Sequence, residues 1–127
     1  VLATGEVLSE ITIPAPIAGT RSTYLKVLDR DAWTHAVVAV AAVLQMDGGT
    51  CKSARVVLGG VAPIPWRVQA VEQMLAGQRI TEDLLARAAE KAVEGARPLA
   101  KNGYKVPLLR ASVKQALRTA SGVNPTA

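Results

Sequence analysis

The chain has 127 residues, 50% of them hydrophobic, 20% charged and 3% aromatic, with no Phe and a formal net charge of +5. That length suits one domain, and a mean hydropathy of +0.22 argues against disorder, because so apolar a chain can bury enough surface to offset its ordering entropy. The longest unbroken apolar run, Ala36 to Leu44, has nine residues, against roughly 20 needed to cross a bilayer.

Glu6 to Ile13 alternates, with Val7, Ser9, Ile11 and Ile13 on one side and Glu6, Leu8, Glu10 and Thr12 on the other. Period two predicts a half-buried strand, which Pro14 and Pro16 would end. Gly19 to Leu28 predicts a second extended stretch, with Thr20, Ser22, Tyr24, Lys26 and Leu28 sharing a face. Asp29-Arg30-Asp31 breaks that pattern and reads as a loop. His35 to Met46 is rich in Val and Ala, and its periodicity fits a buried strand or a buried helical turn. Asp47-Gly48-Gly49 is strong turn chemistry, and Cys51 to Leu58 alternates again, so the two runs predict a hairpin.

Gly59 to Pro65 holds two glycines and two prolines and must be irregular. From Trp66, Val68, Val71, Met74 and Leu75 recur at helical spacing, with Gly77 as a stop. Thr81 predicts the N-cap of a second helix, with Glu82 and Asp83 in its first turn and an apolar stripe from Leu84 to Val93. A third helix is predicted from about Pro107 to Ala120, its apolar face formed by Leu109, Val113, Ala116, Leu117 and Ala120. Strands precede helices, so the class is α+β: a small antiparallel sheet with three helices packed on one side.

The charge is uneven. Residues 95 to 127 contain Arg97, Lys101, Lys105, Arg110, Lys114 and Arg118 and no acid, so the net positive charge resides in the last quarter. Arg110, Lys114 and Arg118 recur every fourth residue, as a phosphate-binding or acid-binding helix face would require, although no aromatic residue is interleaved for base stacking. His35, the one histidine, lacks a neighbouring nucleophile or acid and reads as a partly buried structural residue; Cys51 reads as a core or edge cysteine. Neither Gly48-Gly49 nor Gly59-Gly60 belongs to a phosphate-loop pattern. No Cys/His cluster offers a zinc site.

Three segments in order carry a resemblance: Gly5-Glu6-Val7-Leu8-Ser9-Glu10-Ile11-Thr12-Ile13-Pro14, then Ser22-Thr23-Tyr24-Leu25-Lys26, then Val57-Leu58-Gly59-Gly60-Val61-Ala62. Together they resemble the C-terminal domain of the FAD-binding medium subunit of the molybdenum hydroxylases, which include xanthine dehydrogenases, carbon monoxide dehydrogenase and aldehyde oxidoreductases. Pro65-Trp66-Arg67 and Asn102-Gly103-Tyr104-Lys105-Val106 are similar to the FAD subunits of bacterial aldehyde oxidoreductases and xanthine-dehydrogenase-like enzymes in particular. The similarity spans about residues 5 to 120, with 121 to 127 as a tail. It implies that residues 1 to 127 form one domain of a longer flavoprotein subunit, an expectation that Val1 in place of Met also prompts.

The resemblance further implies an oxidoreductase role within a complex, the fragment alone being inactive. FAD would be held mainly by an N-terminal FAD-binding domain of the same chain. Iron–sulfur clusters and a molybdenum cofactor would belong to partner subunits. Leu8 and Lys26 match family positions that line the flavin, and Val27 and Arg30 match a loop bordering its ring. That loop is richer in Arg and acid in the xanthine dehydrogenases than here. No catalytic or metal-binding residue, nucleic acid or membrane partner is expected. The cytoplasm is the expected location, with export alongside a partner as the variation. The competing reading is a free-standing interaction module whose basic C-terminal helix binds nucleic acid.

Overall fold

The structure, a computed structural model, describes residues 2–123. β1 (Thr20–Val27), β2 (Val38–Asp47) and β3 (Thr50–Gly59) form an antiparallel meander. Two short strands, β4 (Trp66–Arg67) and β5 (Gln78–Arg79), add to the outer edge of β3 and complete a five-stranded sheet. The Ala/Val run from 36 to 44 is thus mostly strand, and β2 turns into β3 at Gly48-Gly49, both at positive φ. Those angles favour glycine and produce the twist a tight hairpin needs.

α1 (Gln69–Leu75), α2 (Glu82–Val93) and α3 (Lys105–Ser121) pack on one side of the sheet. Val38, Val40, Ala42 and Leu44 from β2 meet Val56 and Leu58 from β3, and all join Val71, Leu75, Leu85, Val113 and Leu117 from the helices. Each fully buried Leu or Val contributes about 1.5–3 kcal/mol relative to exposure. The Thr81 hydroxyl caps α2 by accepting from Leu84 N–H at 3.2 Å, and Gly122 ends α3 in the left-handed region. The Arg21 guanidinium donates to the Ser121 carbonyl at 3.0 Å, which ties β1 to the negative end of α3. The α+β class with three helices on one side of a small antiparallel sheet is the observed architecture.

Three expectations are corrected. Residues 6–13 form no strand: they run outside the sheet, and Val7, Ile11 and Ile13 are 84%, 76% and 86% exposed. Alternation identified two faces, but no ladder among the described residues receives them. Trp66 and Arg67 belong to a strand, not to the start of a helix. The preceding Pro65 follows an irregular loop, and α1 begins only at Gln69, after Val68 N–H has bonded Val56 O at 2.9 Å. α3 starts at Lys105 rather than Pro107, which lies within its first turn.

Candidate functional site

Because side chains alternate, Ser22, Tyr24 and Lys26 point away from the helices. The register sets them beside Val43, Ala41 and Ala39 of β2, and next to Arg55, Val57 and Gly59 of β3. Among the described residues no helix covers this second face of the sheet. Its centre is small and apolar, with Ala39 paired so closely to Gly59 that a Cβ added to the glycine would meet the Ala39 methyl at 3.3 Å. Tyr24 and Lys26 stand exposed along the β1 edge.

β1 leads into a loop closed by Val37 N–H donating to Val27 O at 2.8 Å. Within it the Arg30 guanidinium donates to the Trp33 carbonyl, and the Thr34 hydroxyl donates to the Asp29 carboxylate at 3.0 Å. Trp33 is the one described non-glycine residue at positive φ, and its ring is 95% exposed. Lys26 is therefore an exposed cation at one end of the open face; the half-buried Val27 packs on the core side, and Arg30 is exposed in the loop that follows, hydrogen-bonded to neither. Leu8 does not join them as a strand residue. It lies on the extended N-terminal arm, 61% exposed and outside the core. His35 is exposed, contrary to the partly buried reading. Trp33 was not singled out in sequence, since its exposure depends on a loop conformation that periodicity does not report.

The basic stripe of α3 has a different role from the one its spacing suggests. Glu90 of α2 accepts from Arg110 at 3.1 Å, and Glu82 accepts from both Arg118, at 2.6 Å, and Lys114, at 3.4 Å. The stripe is a seam between two helices. Glu82 is held below the ordinary carboxylate range chiefly by the Arg118 hydrogen bonds.

A second cluster escaped the sequence reading. Glu72 is buried on α1, where its carboxylate accepts from Arg67 at 2.7–3.1 Å, from Arg55 at 3.4 Å and from Val56 N–H at 3.1 Å. The Arg67 hydrogen bonds, above all, keep its carboxyl below the usual value. A signal was available: Glu72 falls between Val71 and Leu75 on the helix face that carries Val68, so a carboxylate occupies an apolar stripe. The Cys51 thiol is buried and donates to Ser53 O at 3.2 Å, and burial raises its pKa, so it is an inert core thiol. Among the described residues no group of His, Cys, Asp and Glu is placed to hold a metal ion, and no helix is long and apolar enough to cross a membrane.

Residues 23–120 match the family described as the CO dehydrogenase flavoprotein C-terminal domain. The chain belongs to that family. It is 36% identical over 118 residues to the aldehyde oxidoreductase FAD-binding subunit PaoB of Escherichia coli (strain K12), covering 91% of this chain and 33% of that protein. It is also 36% identical over 84 residues to the carbon monoxide dehydrogenase medium chain of Afipia carboxidovorans, covering 66% of this chain and 29% of the relative. A solved carbon monoxide dehydrogenase from Hydrogenophaga pseudoflava superposes with a TM-score of 0.79 at 32% identity, over 87% of this chain and 39% of that one. This CO dehydrogenase flavoprotein C-terminal domain thus spans about a third of the length of the curated relatives it matches.

Proposed function

We propose that this chain is the C-terminal domain of the FAD-binding subunit of a molybdenum hydroxylase, where it flanks the flavin and helps join the subunit to its neighbours. The observation that carries the reading is the helix-free sheet face, which ends at Lys26 and leads into the loop bearing Arg30, in a chain of this family. A face of small apolar residues with an exposed tyrosine and a cation at its border suits a flat ring better than a charged ligand.

The remaining chain suits only part of FAD. A pyrophosphate needs a glycine-rich turn or a helix N-terminus free of acid. α2 carries Glu82 and Asp83 in its first turn, and its orphan N–H groups are partly capped by Thr81. α3 has no acid there, but its Lys105 and Val106 N–H groups already donate to Asn102 O and Gly103 O, and Pro107 has none to offer. The residues here therefore fit the ring side, and the phosphates fall to an N-terminal FAD-binding domain of the same chain. The exposed arm supports this division. Val7, Leu8, Ile11 and Ile13 offer apolar surface that a neighbouring domain would bury, which would bring Leu8 to the flavin border.

Bound FAD would supply the redox chemistry, between iron–sulfur clusters in one partner subunit and the final acceptor, with the molybdenum cofactor in another. Lys26 would place a fixed positive charge at the ring border. Arg30 holds the loop in shape through the Trp33 carbonyl. The test is FAD content of the complete subunit with and without residues 5–120. Loss of FAD on deletion, and weak or no binding by the isolated chain, is the expected result. Stoichiometric FAD on the isolated chain would overturn the division of labour, and a complete subunit that never carries flavin would overturn the reading.

A further inference from the structure

Between the loop after β3 and the linker from α2 to α3 runs a groove of about 150 Å³, floored by Val61, Val93, Val106 and Leu109 and rimmed by Arg97 and Lys105. Its hollow has a local cause. Pro63 and Pro65 keep one wall irregular, and on the other Gly95, at positive φ, ends α2 ahead of Pro98. We propose that this groove docks an acidic, extended segment of a protein partner, which seats an apolar side chain on the floor and carboxylates on the rim. The inference rests on the reading of this chain as one domain of a multi-subunit flavoprotein.

Charge is the first argument. The sequence has no acid after Glu94, so each cation beyond it must find a partner elsewhere. Arg110, Lys114 and Arg118 find theirs on α2. Among the described residues Arg97 and Lys101 have no ion pair, and Lys105 donates its ammonium only to the Gly60 carbonyl, at 3.1 Å. The one acid near the groove mouth, Glu94, is already paired with Lys91. Of the described cations without an ion pair, Arg97, Lys101 and Lys105 thus lie at or beside the groove, while Arg21, Lys26, Arg30 and Arg79 lie elsewhere.

Exposed apolar surface is the second. Ile64 and Trp66 in the segment after β3, and Leu99 and Tyr104 in the linker beside the lining residues Pro98 and Lys105, are each more than half exposed. Cations beside unburied apolar side chains attract carboxylates at long range and then reward a buried anchor. Two rim cations around an aliphatic floor fit a peptide better than a nucleic acid strand, which needs a track of phosphate contacts and bases stacked in series.

The experiment places a photo-reactive benzoylphenylalanine at Leu99 in the parent flavoprotein complex and maps the adduct by mass spectrometry. An adduct with an Asp/Glu-rich segment of a neighbouring subunit is expected. Arg97→Glu with Lys105→Glu should reduce its yield about tenfold, and Arg97→Gln with Lys105→Gln should reduce it less, with FAD content unaltered. The reversal is compatible with folding, because an acid in the first turn of α3 suits the helix dipole. No adduct, an adduct with nucleic acid or with a segment lacking acids, or a yield indifferent to charge reversal would overturn the proposal. Failure of the flavin reading would show itself separately, as a parent subunit that purifies without FAD.

Discussion

The middle of β3 has no strand on its outer side, because β4 pairs only with Val57 and Leu58 and β5 only with Thr50 and Cys51. Val56 in that gap would expose an unpaired N–H and C=O, and α1 satisfies both through the Glu72 carboxylate and Val68 N–H. Glu72→Gln keeps the shape and removes the charge that Arg67 and Arg55 share, so it should cost roughly 1–3 kcal/mol in urea denaturation. Arg55 is largely exposed and its contact is long, so Arg55→Ala should stay within about 0.5 kcal/mol. Equal costs would mean that the carboxylate is not the keystone of this edge. Glu72, under Arg67, and Glu82, under Arg118, both titrate below the ordinary Glu value. A carboxyl depressed in the folded state lends stability that is complete above its unfolded value of about 4.3 and is lost as pH falls through the folded values beneath it. Urea midpoints should therefore hold from neutrality to about pH 5 and then drop, and Glu72→Gln with Glu82→Gln should flatten the drop. Gly60 gives a sharper local test. Its φ is +72° and an added Cβ would lie 2.8 Å from Val37 O, so Gly60→Ala should cost about 1–3 kcal/mol.

Between elements, the seam of α2 and α3 combines an apolar face with three cations that meet two acids across it. Leu117 is fully buried there, and Leu117→Ala should cost about 2–5 kcal/mol by thermal or urea unfolding. Read from sequence, the stripe at Arg110, Lys114 and Arg118 is a solvated flank or a face for an acidic partner, so charge reversal would leave stability within about 0.5 kcal/mol. The structure predicts the opposite: Arg118→Glu should lower the melting temperature, because it sets a carboxylate against Glu82, and added salt should recover part of the loss. The helix period revealed the cations on one face, but no period reports which element lies opposite. The same limit explains the other differences. The β2–β3 hairpin, the Thr81 cap and the Gly77 stop were legible because turn and cap chemistry is local. β4 and β5 were not, because two-residue strands have no periodicity and exist only through β3.

On the scale of the whole molecule, the two faces of the sheet divide its functions: one holds the helices and the core, the other ends at Lys26 with no helix upon it. The element order already implied the first face, since helical stripes need an apolar sheet to cover. The second was only half legible. Alternation put Tyr24, Lys26 and Leu28 together, yet the arm bearing Leu8 reads as a fellow strand when its partner is not in this sheet. Lys26 is where the proposed function can be tested most directly. It sits at the end of an edge strand, held by the β1–β2 ladder opposite the buried Ala39, so its backbone position is fixed while its ammonium is free to meet a ligand. A fixed cation beside the ring would stabilise the reduced, negatively charged flavin over the oxidised one. Lys26→Met preserves the aliphatic length and removes that charge, and an exposed strand position should lose no more than about 0.5 kcal/mol of fold stability. Redox titration of the complete subunit should then show a lower flavin reduction potential, or loss of FAD, with an unchanged melting temperature for this domain. Full flavin occupancy at an unaltered potential would make Lys26 a solvated edge residue and move the flavin border away from this end of the sheet.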